Sequence, residues 1–144
     1  MVYSGAVDKI IGRPPPVTGD VVLITNGVEK LIGWVLYSSV SMFCVRLMQL
    51  EDEASRDLCC VLNMERLLEN RINDVVVLRE RLGLPSTITN VYRLVNSKGD
   101  RLSGLIVDTF GHEVVIASSA HWVEKYKQQI KDCISKISNV NHIT

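Results

Sequence analysis

From Met64 to Gly83 the apolar residues recur in steps of three and four, at Met64, Leu68, Ile72, Val75, Leu78 and Leu82. That spacing lines one face of a helix. Before Leu50 and after Thr89 the apolar residues instead form short β-branched runs separated by turn residues. A chain written this way is neither one continuous sheet nor a helical bundle. It predicts an α+β organisation: a β-rich unit over residues 1–62, a linking helix over 63–88, and a second small unit over 89–144. With 47% hydrophobic residues in a chain of 144, there is enough apolar material for real cores.

In the first unit, Val2 to Ile11 could hold a short helix, and the loop that follows carries Pro14, Pro15 and Pro16, which make a stiff extended connection. Val21 to Thr25 and Leu31 to Tyr37 read as strands joined through Asn26-Gly27, a strong hairpin signal. Met42 to Leu50 reads as a third strand, whose alternation sets Phe43, Val45 and Leu47 against Cys44, Arg46 and Met48. Short strands at this spacing suggest a small barrel or meander. The linking helix should end at Gly83, with Pro85 just beyond and a wet side that includes Arg66, Glu69, Arg71 and Arg79.

In the second unit, Val91 to Val95, Gly104 to Asp108 and Glu113 to Ser118 read as strands. Trp122, Tyr126, Ile130, Cys133 or Ile134, and Ile137 mark an amphipathic helix, with Ser118 or Ser119 near its cap. A fresh strand starts near Ile143, so the order is strand, strand, strand, helix, strand. Both ends of the chain read as cut.

Formal net charge is zero, so no global basic field draws the chain to nucleic acid. Any RNA contact must come from a local, salt-sensitive patch. Cys44, Cys59, Cys60 and Cys133 contain no C-x-x-C pair and read as reduced thiols, which points to an intracellular home, cytoplasmic or organellar. His112, His121 and His142 are scattered and do not suggest a metal site. No apolar run approaches the roughly 20 residues that span a bilayer, so no membrane partner is expected.

The stretch from Tyr92 to Gly111, Y-R-L-V-N-S-K-G-D-R-L-S-G-L-I-V-D-T-F-G, resembles a run found in the class I ribosomal RNA large-subunit methyltransferases that carry an N-terminal PUA domain. Lys98 and Ser103 stand where that family has an acidic residue and a proline. Val2-Tyr3-Ser4-Gly5-Ala6-Val7, Gly19-Asp20-Val21-Val22 and the segment from Gly33 to Arg46 are similar to further family segments in the same order. The resemblance implies a small PUA-like β-barrel, a linker helix, and an α/β linking domain. It also implies a parent enzyme that methylates cytosine C5 with S-adenosylmethionine.

That reaction needs a thiolate to add at C6, a glycine-rich cradle for the methyl donor, and a base for the C5 proton. Gly99, Gly104 and Gly111 are spaced as turn glycines, so neither catalytic nor cofactor-binding residues are expected here. By resemblance, RNA would be gripped by Ser4, Gly5, Lys9, Arg13 and Arg46, with ribosomal RNA as the partner and no DNA. Alternatives are a stand-alone PUA-like RNA-binding protein and a non-catalytic interaction scaffold. Apolar surface left exposed by truncation could also make the chain self-associate.

Overall fold

The computed structural model describes residues 1–56, 63–137 and 140–144. They divide into two compact units, Met1–Met64 and Glu65–Thr144. The adjacent pair Cys59 and Cys60 lies outside the described residues.

Unit 1 is an antiparallel meander of β1 (Val21–Thr25), β2 (Leu31–Tyr37) and β3 (Val45–Leu50), followed by α1 (Glu51–Arg56). Val2 adds one bridge to the free side of β3, at Val45. The expected closed barrel is not present among the described residues. Three strands and a bridge leave two separate edges, too few strands to curl shut. Nor does Val2 to Ile11 form a helix beyond a single 3-10 turn at Ser4–Ala6. The core packs Val35, Cys44 and Val45 against Val2, Val7, Val22, Ile24 and Tyr37.

The β1–β2 hairpin forms where Asn26-Gly27 predicts it, but by different chemistry. Gly27 does not take the left-handed backbone; Glu29 does, at φ 60°. The Asn26 side-chain oxygen accepts from the Val28 and Lys30 amides at 3.1 and 2.9 Å, which organises a longer loop.

A second departure sits in β3. Trp34 pairs with Gln49 while Val35 pairs with Leu47, so Met48 is an extra residue. This bulge interrupts the alternation. Val45 and Met48 are both buried, and Leu47 turns outward.

Helix α2 (Met64–Arg81) ends in the predicted way. Gly83, at φ 77°, donates to the Glu80 carbonyl, and the Leu84 amide reaches back to Arg79. This pair of bonds is the glycine-terminated helix stop that satisfies the last carbonyls. Met64, Leu68, Ile72 and Val75 are buried as expected, but Leu78 and Leu82 are 44% and 65% exposed. Arg71, assigned to the wet side, is buried and donates to the Arg101 carbonyl at 2.6 Å.

The sheet of unit 2 has the order β4 (Val91–Asn96), β5 (Leu105–Phe110), β6 (Glu113–Ser118) and β7 (His142–Ile143). The first three are antiparallel; β7 joins β6 in parallel. The predicted helix after β6 breaks at Tyr126 into α3 (His121–Lys125) and α4 (Lys127–Ser135). Along an unbroken helix Trp122 and Ile130 would stand about 80° apart. The bend at Tyr126, with φ −106° and ψ 22°, resets the phase so that Trp122, Ile130 and Ile134 are all buried. Ala120 is the residue at the start of α3, and Ser118 stands beside it, its hydroxyl accepting from the Ala120 amide at 3.4 Å.

Candidate functional site

In unit 1 the turn that starts at Ser4 lies against the connection between β2 and β3. The Ser4 amide donates to the Met42 carbonyl at 2.9 Å, and the Cys44 thiol faces the Val2 carbonyl at 3.9 Å. Between the two segments runs a groove of about 570 Å3. Ser4, Asp8 and Lys9 form one wall, and Tyr37, Ser38, Ser39, Ser41 and Met42 the other.

The structure brings together only part of the predicted set. Ser4 and Lys9 line the groove; Gly5, Arg13 and Arg46 do not. Gly5 sits in the 3-10 turn, and a Cβ there would meet nothing within 4 Å, so packing does not require a glycine at this place. Arg13 is exposed in the proline loop. Arg46 lies on β3 with Nη1 3.1 Å from the Met1 sulfur, and partial burial lowers its pKa.

Sequence reasoning missed the serines of the β2–β3 connection. Ser39 shares a 2.8 Å hydroxyl contact with Thr18, and the Ser41 hydroxyl accepts from the Phe43 amide at 3.2 Å. Three serines within four residues were a visible signal, but nothing local says that they face Lys9.

Unit 2 has a groove of about 480 Å3, lined chiefly by Leu82, Leu84, Val91, Tyr92 and Phe110 with Arg79, Arg93 and Asp108. Its charges are spent on one another. Arg93 grips Asp108 through two bonds of 2.9 and 3.2 Å, which raise the arginine pKa, and Arg79 holds Asp100 at 2.6 Å. Asp100 also takes the Asn96 amide at 2.5 Å, so it orders the turn. The described thiols are poor nucleophiles by position. Cys44 is buried, and burial pushes the Cys133 pKa up, away from the reactive thiolate.

No family model matches the chain. Two curated proteins do. Ribosomal RNA large subunit methyltransferase I of Alteromonas mediterranea is 27% identical over 142 residues, 99% of this chain and 33% of its own length. The protein of the same name from Erwinia tasmaniensis is 26% identical over 115 residues, 80% of this chain and 26% of its own length. The relatives are ribosomal RNA methyltransferases. The chain therefore spans a third or less of the curated relatives it matches.

Solved structures agree on the fold. A Streptococcus mutans protein classed as a SAM-dependent methyltransferase superposes with a TM-score of 0.66 at 18% identity, over 82% of this chain and 29% of its own. A methyltransferase solved with SAH gives 0.64 at 17% identity, again over 82% of this chain and 29% of its own.

Strands run straight into helices at Leu50-Glu51 and through Ser118-Ser119-Ala120-His121, and neither junction holds a glycine. A methyl donor needs such a turn to bring backbone amides close. Among the described residues no helix is long and apolar enough to cross a membrane, and no group of three or more His, Cys, Asp or Glu could hold a metal.

Proposed function

We propose that this chain is the RNA-binding and positioning region of a SAM-dependent ribosomal RNA methyltransferase that modifies cytosine C5. The carrying observation is the alignment of nearly the whole chain with the ribosomal RNA large subunit methyltransferases. Unit 1 is its PUA-type module, and unit 2 links that module to residues elsewhere in the parent polypeptide. Those other residues bind the methyl donor and supply the thiolate and the base. The chain works inside the cell, where ribosomal RNA is made.

The chemistry of the unit 1 groove supports this reading. The Ser4 hydroxyl and the Lys9 ammonium have no partner among the described residues, and both point chemistry at a ligand instead of at the protein. Arg13 is likewise unpaired nearby in sequence. Cations of this kind neutralise phosphates and release counterions, so the affinity should fall as salt rises.

A gel shift with large-subunit ribosomal RNA fragments tests the proposal. Binding at low salt is expected, with an equivalent DNA bound more weakly. Changing Lys9 and Arg13 together to alanine should flatten the log–log salt slope by about 1.4 if each cation meets one phosphate of a single strand. Absence of binding at low salt would favour an interaction scaffold instead.

Self-association belongs to the same proposal. Val91, Phe110 and Val115 share one face of the unit 2 sheet and are 54%, 50% and 42% exposed. They stand among Arg93, Asp108 and Glu113 on that face, and exposed apolar side chains grouped this way offer a second copy a surface to cover. Sedimentation should show dimers forming as concentration rises, and fewer of them after Phe110→Lys. A monomer at every accessible concentration would remove this part.

A further inference from the structure

At the floor of the unit 1 groove, Ser38 is only 8% exposed and lines the open space. Its backbone is fixed, since its amide donates to the Cys44 carbonyl at 2.8 Å. Its hydroxyl has no partner among the described residues. The rest of the residue is buried and the hydroxyl opens into the groove, so what meets it there is solvent or a bound molecule. Across the groove, Ser4 presents a second hydroxyl, and its backbone is also tied down, at Met42.

The charges beside these hydroxyls narrow the ligand. Asp8 and Lys9 are neighbours on one wall, and neither has an ion partner among the described residues. The carboxylate offsets the ammonium, so Lys9 serves one phosphate of the strand while the rest of the lining suits a group that can donate as well as accept hydrogen bonds. The 2′-hydroxyl of ribose both donates and accepts, as serine does, and it is the group that separates RNA from DNA. The volume lies within the roughly 300–1,000 Å3 typical of clefts for small ligands. A chain of zero net charge also has no global basic field to draw it onto a duplex backbone.

We infer that the groove seats one unpaired ribonucleotide and reads its 2′-hydroxyl through Ser38 and Ser4, which makes unit 1 select RNA over DNA. The inference rests on the RNA-binding reading above and adds the group that is recognised.

Fluorescence anisotropy on the full chain tests it with three single-stranded oligonucleotides of one sequence: RNA, DNA and 2′-O-methyl RNA. The unaltered chain should prefer RNA by roughly 3–10-fold over both others, the scale of one neutral hydrogen bond. Ser38→Ala removes a hydroxyl that holds nothing in the protein, so the fold should survive, and the RNA preference should drop toward unity. Ser4→Ala, at an exposed position, should reduce it too.

Equal affinity of the unaltered chain for RNA and DNA would overturn the inference while leaving RNA binding in place. So would a preference that persists in both serine variants. No binding to the RNA at low salt would overturn both readings together.

Discussion

Replacing Trp122 by alanine is expected to cost unit 2 about 3–5 kcal/mol, the range for deleting a large buried aromatic side chain. Trp122 is 2% exposed, and its indole N–H donates to the Ser103 carbonyl at 2.7 Å. Two effects would be lost together: the buried ring, and the bond that ties α3 to the turn before β5 at the Ser103 carbonyl. Trp122→Phe separates them. It keeps most of the apolar bulk but leaves the buried Ser103 carbonyl to lose its indole partner, at a cost of about 1–3 kcal/mol. Amide exchange of β5 and β6 during urea titration reads the result for unit 2 alone. A loss below about 1 kcal/mol for the alanine variant would mean that α3 is not anchored by this ring.

Replacing Gly33 by alanine is expected to part β2 from β3. A Cβ at this position would lie against the Gln49 carbonyl oxygen, far inside contact distance, and 3.0 Å from the Leu50 Cα. Both are backbone atoms, so no side chain can swing aside. Overpacking of this kind costs about 1–3 kcal/mol, and a rigid backbone neighbour favours the upper end. Gly27→Ala is the control, because an added Cβ there meets nothing within 4 Å. It should change stability by no more than about 0.5 kcal/mol. Amide exchange along β2 and β3 should rise in the first variant and not in the second. Unchanged protection in Gly33→Ala would show that the β2–β3 ladder absorbs the added Cβ without parting. The same variant should weaken RNA binding, since β2 and β3 hold the ends of the connection that carries Ser38.

Local rules were readable wherever a few neighbouring residues decide the outcome. The helix stop at Gly83 is one case. A residue without a Cβ takes φ 77° easily, and the two closing bonds lie within five residues of it. Strand β6 is another, since turn residues bracket an apolar run from Glu113 to Ser118. The β1–β2 hairpin was legible in place but not in mechanism, because Asn26 organises the loop through its side chain and moves the left-handed residue to Glu29.

The site was much less legible. Ser4 and Lys9 could be named from the resemblance, yet Ser38 could not. It becomes a binding candidate only when the chain folds back and sets residues 4–10 against residues 37–44, a separation that no local pattern encodes. Arg13 and Arg46 looked equivalent to Lys9 as charges, and the fold places them outside the groove. The bulge at Met48 and the break at Tyr126 share a cause. Each trades regular periodicity for better burial against partners distant in the sequence, Met48 beside β2 and Tyr126 between two segments that must both reach one core. Periodicity and turn chemistry are short-range, so the amino-acid order alone located the turns and the helix stop at Gly83, but not the break at Tyr126 or the start of β3. Which hydroxyl opens into the groove depends on packing between segments far apart in the chain, and that was set by the folded arrangement.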